Sequence, residues 1–267
     1  MKKILVCLLL LTGTSVWADD ANIQTFFADD GYCILGYKGT PVLPWCGYCV
    51  HDVDRPVPPK MKIDPAKVVF LPAPPDAVVL FDHKNPSLDA WNETKWKITD
   101  DGYLEATSGA IASKENWGAA QYHLEWRYPK DFKGPWGNQG NNGVLLLGSY
   151  EIQIFNNEKY LINSDGMAGA VYGQTPPLVN VALPEGAWQT YDIFFRPGVW
   201  KEGKCVERPR VTILHNGVMI QNNQIIYGRT GHKTLPGDDT DRVDGPLVLS
   251  GHGCPVQFRN VWIRRGE

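Results

Sequence analysis

Five polar side chains of this 267-residue chain stand at spacings that a β-strand turns to one face. His123 and Glu125 are two residues apart, as are Glu151 and Gln153, and His252 sits between two glycines in Gly251-His252-Gly253. Residues i and i+2 of a strand share a face, so each pair is expected to project together. Together the set could supply a base, an acid and hydrogen-bond donors for a sugar-sized ligand. A solvated outer face explains any one of these residues; five together, with aromatic neighbours, point to a groove. Trp136, in the loop Gly134-Pro-Trp-Gly-Asn-Gln-Gly-Asn-Asn-Gly143, is placed at the rim, because aromatic faces stack on sugar rings. His215 adjoins a hairpin turn and His232 lies in a polar loop, so both are read as solvated. There is no Gly-x-Ser-x-Gly elbow and no Ser-His-Asp order, which argues against a serine nucleophile.

The elements that must position these residues are strands. From Ala77 onward, short runs rich in β-branched and aromatic residues recur between turn residues, the pattern of a β-sandwich or barrel. Tyr122, Leu124 and Trp126 alternate with Gln121, His123, Glu125 and Arg127, and Tyr150, Ile152 and Ile154 alternate with Glu151 and Gln153. Parity also assigns Trp126 and Trp262 to the core. Asp101-Gly102 and Asn216-Gly217 are hairpin turns between apolar runs. No run is long enough for a major helix, and there is no internal repeat and no phosphate-cradling glycine loop between strand and helix.

Composition agrees with strands and narrows the partners. The 27 Gly and 20 Pro favour turns over long helices. With 26 basic and 29 acidic side chains the formal charge is −3, so the chain offers no field that gathers nucleic acid. Residues 1–18 read as a secretory signal peptide: Lys2 and Lys3, an apolar run from Ile4 to Leu11, then small and polar residues ending at Ala18. The expected location is periplasmic or extracellular, with no membrane anchor. Of the cysteines left after cleavage, Cys205 and Cys254 can pair, and Cys46-Gly-Tyr-Cys49 reads as a local staple rather than a metal site. A c-type haem is excluded because His51 stands two places after Cys49 rather than next to it. Residues 19–76, rich in Pro and without periodicity, read as an extended arm on a single domain spanning 77–267.

From Ala77 to the C-terminus the chain resembles the 3-keto-disaccharide hydrolase domain family. The stretches that carry the resemblance are VVLFDHKNPSLDAW (78–91), YHLEWR (122–127), GNNGVLLLGSYEIQIFN (140–156), DGMAGAVYGQTPPLVNV (165–181), WQTYDIFFRP (188–197), VTILHNGVMIQNN (211–223) and HGCPVQFRNVWIR (252–264). HDVDRPVPP (51–59) in the arm is similar to the lead-in of its long members. One departure is Ser250-Gly251, where members usually carry Gln-Asp before the terminal His. The resemblance implies an all-β, concanavalin A-like jelly-roll sandwich and cleavage of glycosides already oxidised to a ketone at sugar C3. Such a ketone acidifies the C2 hydrogen; a base forms the enolate, the substituent leaves C1, and water adds to the enone. The resemblance makes Glu151 the base and His252 the acid or a metal ligand, with Gln153, His123 and Glu125 orienting substrate or binding a divalent ion. A laminarinase-like retaining enzyme needs two carboxylates about 5–5.5 Å apart, carried as Glu-x-Asp-x-Glu. Here those positions read Glu151-Ile-Gln153-Ile-Phe155, without the partner carboxylates. The alternative from another class is a non-catalytic carbohydrate-binding module.

Overall fold

Each alternating run has one apolar face to hide, and the chain hides them by stacking two antiparallel sheets over a common core. The computed structural model describes residues 23–27, 33–237 and 241–266, so the expected signal peptide at 1–18 lies outside the described residues. In chain order the strands are β1 (Ile23–Phe27), β2 (Cys33–Tyr37), β3 (Val78–Phe81), β4 (Lys97–Ile98), β5 (Leu104–Glu105), β6 (Ser108–Trp117), β7 (Ala120–Arg127), β8 (Asn142–Leu146) and β9 (Tyr150–Ile154). They continue as β10 (Leu161–Ile162), β11 (Gln189–Arg196), β12 (Val199–Lys201), β13 (Lys204–Glu207), β14 (Arg210–His215), β15 (Val218–Ile225), β16 (Gly245–His252) and β17 (Gln257–Arg265). Helix among the described residues is limited to three short 3-10 turns. The larger sheet runs β15-β14-β11-β7-β17-β5-β4, with β3 also paired to β17; the smaller runs β6-β16-β8-β9. This is the all-β sandwich that the alternation predicts.

Tyr122, Leu124 and Trp126 of β7 and Tyr191 and Ile193 of β11 meet Val144, Leu146, Tyr150, Ile152 and Ile154 of the smaller sheet in one continuous core. Burying each such side chain contributes about 1.5–3 kcal/mol relative to leaving it in water. The β14–β15 hairpin closes at Asn216 (φ 54°) and Gly217 (φ 80°), the two positive φ values that a two-residue turn between twisted strands requires.

The arm is more structured than its composition suggests. β1 and β2 form an antiparallel hairpin, and β10 pairs in parallel with β2, so the arm is stitched to the domain by a partner that lies far along the chain. Further on, Met61 N donates to Asn180 O, and Leu71 O accepts from Asn260 Nδ2 and Trp262 Nε1 on the outer side of the larger sheet. Trp262 is therefore buried beneath the arm, stacked on His123, rather than between the sheets. The cysteine expectations are corrected as well. Cys205 is an exposed free thiol while Cys254 is buried, its Sγ accepting from Gly140 N, so the two do not pair; Cys46 and Cys49 are also free.

Candidate functional site

Glu151 belongs to β9, whose inward residues Tyr150, Ile152 and Ile154 are fixed in the core, so Glu151 and Gln153 must face outward from the smaller sheet. The neighbouring strand makes room there. Gly143 of β8 lies one row along, and a Cβ on it would fall 2.1 Å from Glu151 Oε1, so any other residue there would displace the carboxylate from this position. Desolvation by the surrounding chain pushes the Glu151 carboxyl up to about 7. A carboxyl titrating near neutrality is matched to proton abstraction at ordinary pH.

The segment 169–172 runs antiparallel beside β9: Ile152 bridges Val171, and Tyr172 N donates to Glu151 O at 3.0 Å. That register sets Tyr172 opposite Glu151 on the same face. The Tyr172 hydroxyl lies 2.9 Å from His232 Nδ1, and His232 Nε2 lies 3.5 Å from the Tyr37 hydroxyl of the arm. Burial, followed by the Glu151, Tyr37 and Asp165 charges, holds the Tyr172 phenol well above its usual pKa. Thr230 ties the His232 loop to the strand, accepting from Glu151 N at 3.1 Å and donating to Ser149 O at 3.1 Å.

Behind this row the arm supplies His51. Its backbone N and its Nδ1 both bond Asp165, at 3.0 and 3.1 Å, and Arg55 reaches the same carboxylate at 3.5 Å and Gln174 O at 3.1 Å. Burial alone would raise the Asp165 carboxyl, but His51 and Arg55 together hold it below the usual carboxylate range. The His51 ring lies 4.8 Å from that of Tyr172 and 5.2 Å from that of His232. Among the described residues its buried Nε2 finds no hydrogen-bond partner. Asp165 holds the imidazole through its Nδ1.

The constellation read from the sequence does not assemble as a whole. Gln153 shares the Glu151 face but is buried, its Oε1 held by Ile154 N. His252, exposed at the end of β16, is on that face too, but two strands across and four residues along. Strand geometry puts the two backbones roughly 16 Å apart. His123 and Glu125 are corrected outright: they face outward from the larger sheet, on the opposite side of the sandwich. There His123 Nδ1 bonds Asp192 at 2.8 Å, its Nε2 lies 3.6 Å from Glu125, and Glu125 is held by Arg259 at 2.6 Å and by Asn260. Burial alone would lower the His123 pKa, but Asp192 and Glu125 raise it, a closed network under the arm with no substrate face. His215, expected in solvent, is buried, bonds Gln189 Oε1 at 2.9 Å, and is pushed down to about 3 by burial. His232 is exposed as expected, yet it belongs to the site.

Trp136 packs edge-on to Tyr160 and lines a cavity of about 510 Å³ with Phe132 and Lys159; neither this cavity nor a second of about 700 Å³ against β11 and β14 includes Glu151. Among the described residues no three His, Cys, Asp or Glu side chains are placed to hold a metal ion. The donors expected to share a divalent ion are split between the two outer faces, so they do not fit one.

A family of 3-keto-alpha-glucoside-1,2-lyase-like domains matches residues 76–264, most of the chain. The chain belongs to that family. Glu151, Tyr172 and His232 therefore lie within the 3-keto-alpha-glucoside-1,2-lyase-like domain, whereas His51 and Arg55 precede its matched span. Among solved structures, one from Parabacteroides distasonis with a provisional glycosyl hydrolase label is 33% identical, with a TM-score of 0.70 over 85% of this chain and all of the other. A second from the same organism, labelled likewise, is 18% identical, with a TM-score of 0.54 over 72% of this chain and 94% of the other, a likeness of fold. No curated protein sequence matches the chain. Among the described residues of this family member no helix is long and apolar enough to cross a membrane.

Proposed function

We propose that the chain is a glycoside-cleaving enzyme that acts on 3-keto-glycosides, and that it works outside the cytoplasm after loss of residues 1–18. The family description supports the sugar class and the Parabacteroides relative supports glycoside cleavage. The observation that carries the reaction is Glu151: an outward carboxylate beside a glycine-made gap, titrating near 7, with hydrogen-bonding side chains along its row. In the ionised form it takes the C2 hydrogen that the C3 ketone has acidified. The electron pair left on C2 closes the double bond to C1 as the C1–oxygen bond breaks, giving an enone and the departing alcohol. Water adds at C1, Glu151 returns its proton to C2, and the sum is hydrolysis.

The test is incubation of the full chain with a 3-keto-disaccharide and with the same disaccharide unoxidised. Release of monosaccharide from the keto sugar only, reduced about 10²–10⁴-fold in Glu151→Gln, is the expected result, since that is the usual contribution of a general base. Tight binding of the sugar without turnover by the wild type refutes it and favours a carbohydrate-binding module.

A further inference from the structure

Elimination leaves a second proton to account for. The alcohol departing from C1 is a poor leaving group as an alkoxide and needs a donor close to the base, because C1 and C2 are adjacent atoms. His252 stands two strands across and four residues along from Glu151, farther than the neighbouring strand, and His123 is on the other side of the sandwich. Tyr172 stands directly across from Glu151 in the antiparallel register, half-buried, with its hydroxyl at the exposed end of the row.

We propose that the Tyr172 hydroxyl, hydrogen-bonded to His232 Nδ1 opposite Glu151, is the acid that protonates the leaving oxygen. This rests on the 3-keto-glycoside reading. As the C1–oxygen bond breaks, the proton on Tyr172 Oη passes to the leaving oxygen, and the Nδ1 proton of His232, which this step requires in its imidazolium form, passes to Tyr172 Oη. Tyr172 remains a phenol throughout, consistent with a hydroxyl whose ionisation is strongly disfavoured. In the return half, water gives its proton to Tyr172 as Tyr172 gives its own to His232, hydroxide bonds to C1, and Glu151 restores the C2 hydrogen. Both groups end as they began. His51, anchored to Asp165 and 4.8 Å from the Tyr172 ring, positions that ring from behind.

A proton donor to the leaving group matters in proportion to how badly the group leaves, whereas damage to folding or binding does not distinguish leaving groups. The experiment compares a 3-keto-disaccharide with a nitrophenyl 3-keto-glucoside, using wild type and Tyr172→Phe, with a thermal melt of each protein. Tyr172→Phe is expected to lower kcat on the disaccharide about 10²-fold or more, the usual worth of a general acid, with a much smaller loss on the nitrophenyl substrate. His232→Gln, at an exposed position, is expected to show the same split more weakly and serves alone if Tyr172→Phe does not fold. Equal loss on both substrates, or none, overturns the assignment while leaving Glu151 chemistry intact. Wild type that cleaves neither substrate overturns the 3-keto-glycoside reading and this inference with it.

Discussion

Glu151 carries an energetic cost that the proposed chemistry explains. Its carboxyl is raised to about 7 by desolvation, from about 4.5 in an unfolded chain. Below pH 4.5 it is protonated folded or unfolded and the site is undisturbed. As pH rises from 4.5 through 7 the unfolded chain gives up the proton first, so stability is lost across that window, by roughly 3 kcal/mol. Two outcomes follow for one group. Wild-type kcat/KM is expected to climb with pH toward 7 as the base ionises, and to fall on the alkaline side, where His232 no longer carries the proton it relays. Glu151→Gln is expected to melt several degrees higher than wild type at pH 8, yet at the same temperature at pH 4.5, read by calorimetry across the range. A variant that melts lower than wild type at pH 8 contradicts this account. Active sites commonly spend stability in this way.

At the scale of elements, the arm is a component of the site rather than a leader to it. Its His51 and Arg55 converge on one buried carboxylate, Asp165, which sits in a short 3-10 turn beside β10. Removing the carboxylate charge leaves the Arg55 guanidinium buried without its partner, and breaking a buried pair of this kind typically costs about 3–5 kcal/mol. Asp165→Asn is therefore expected to loosen residues 38–76 and expose them to limited proteolysis well before the sandwich unfolds, with activity falling in step. Cleavage of wild type and variant at equal rates would show that the arm is held elsewhere. The strands themselves were readable because period 2 is local: Tyr150-Glu-Ile-Gln-Ile154 announces which residues face out. The arm was not readable, because the contacts that order it are remote. His51 meets Asp165 across 114 positions, and Tyr172 meets His232 across 60. His51 drew attention only as a neighbour of two cysteines, and the one local hint was its place in the HDVDRPVPP stretch.

At the scale of the whole molecule, a sandwich has two outer faces, and alternation cannot say which one a residue joins. His123-Leu-Glu125 and Glu151-Ile-Gln153 have the same pattern, yet the first pair ends under the arm in a closed network with Asp192 and Arg259 and the second in the row with Tyr172. Sheet order, which is set by long-range pairing, separates them. The same order keeps His252 on the Glu151 face, two strands across and four residues along. The fold and the family were legible in the sequence; what the pairing adds is the company Glu151 keeps. The account stands or falls on whether the C2 hydrogen is removed, and a 3-keto-disaccharide deuterated at that carbon tests it most directly. Wild type is expected to cleave the deuterated sugar more slowly than the ordinary one. Equal rates on the two sugars, with the glycosidic bond still broken, would contradict abstraction by Glu151.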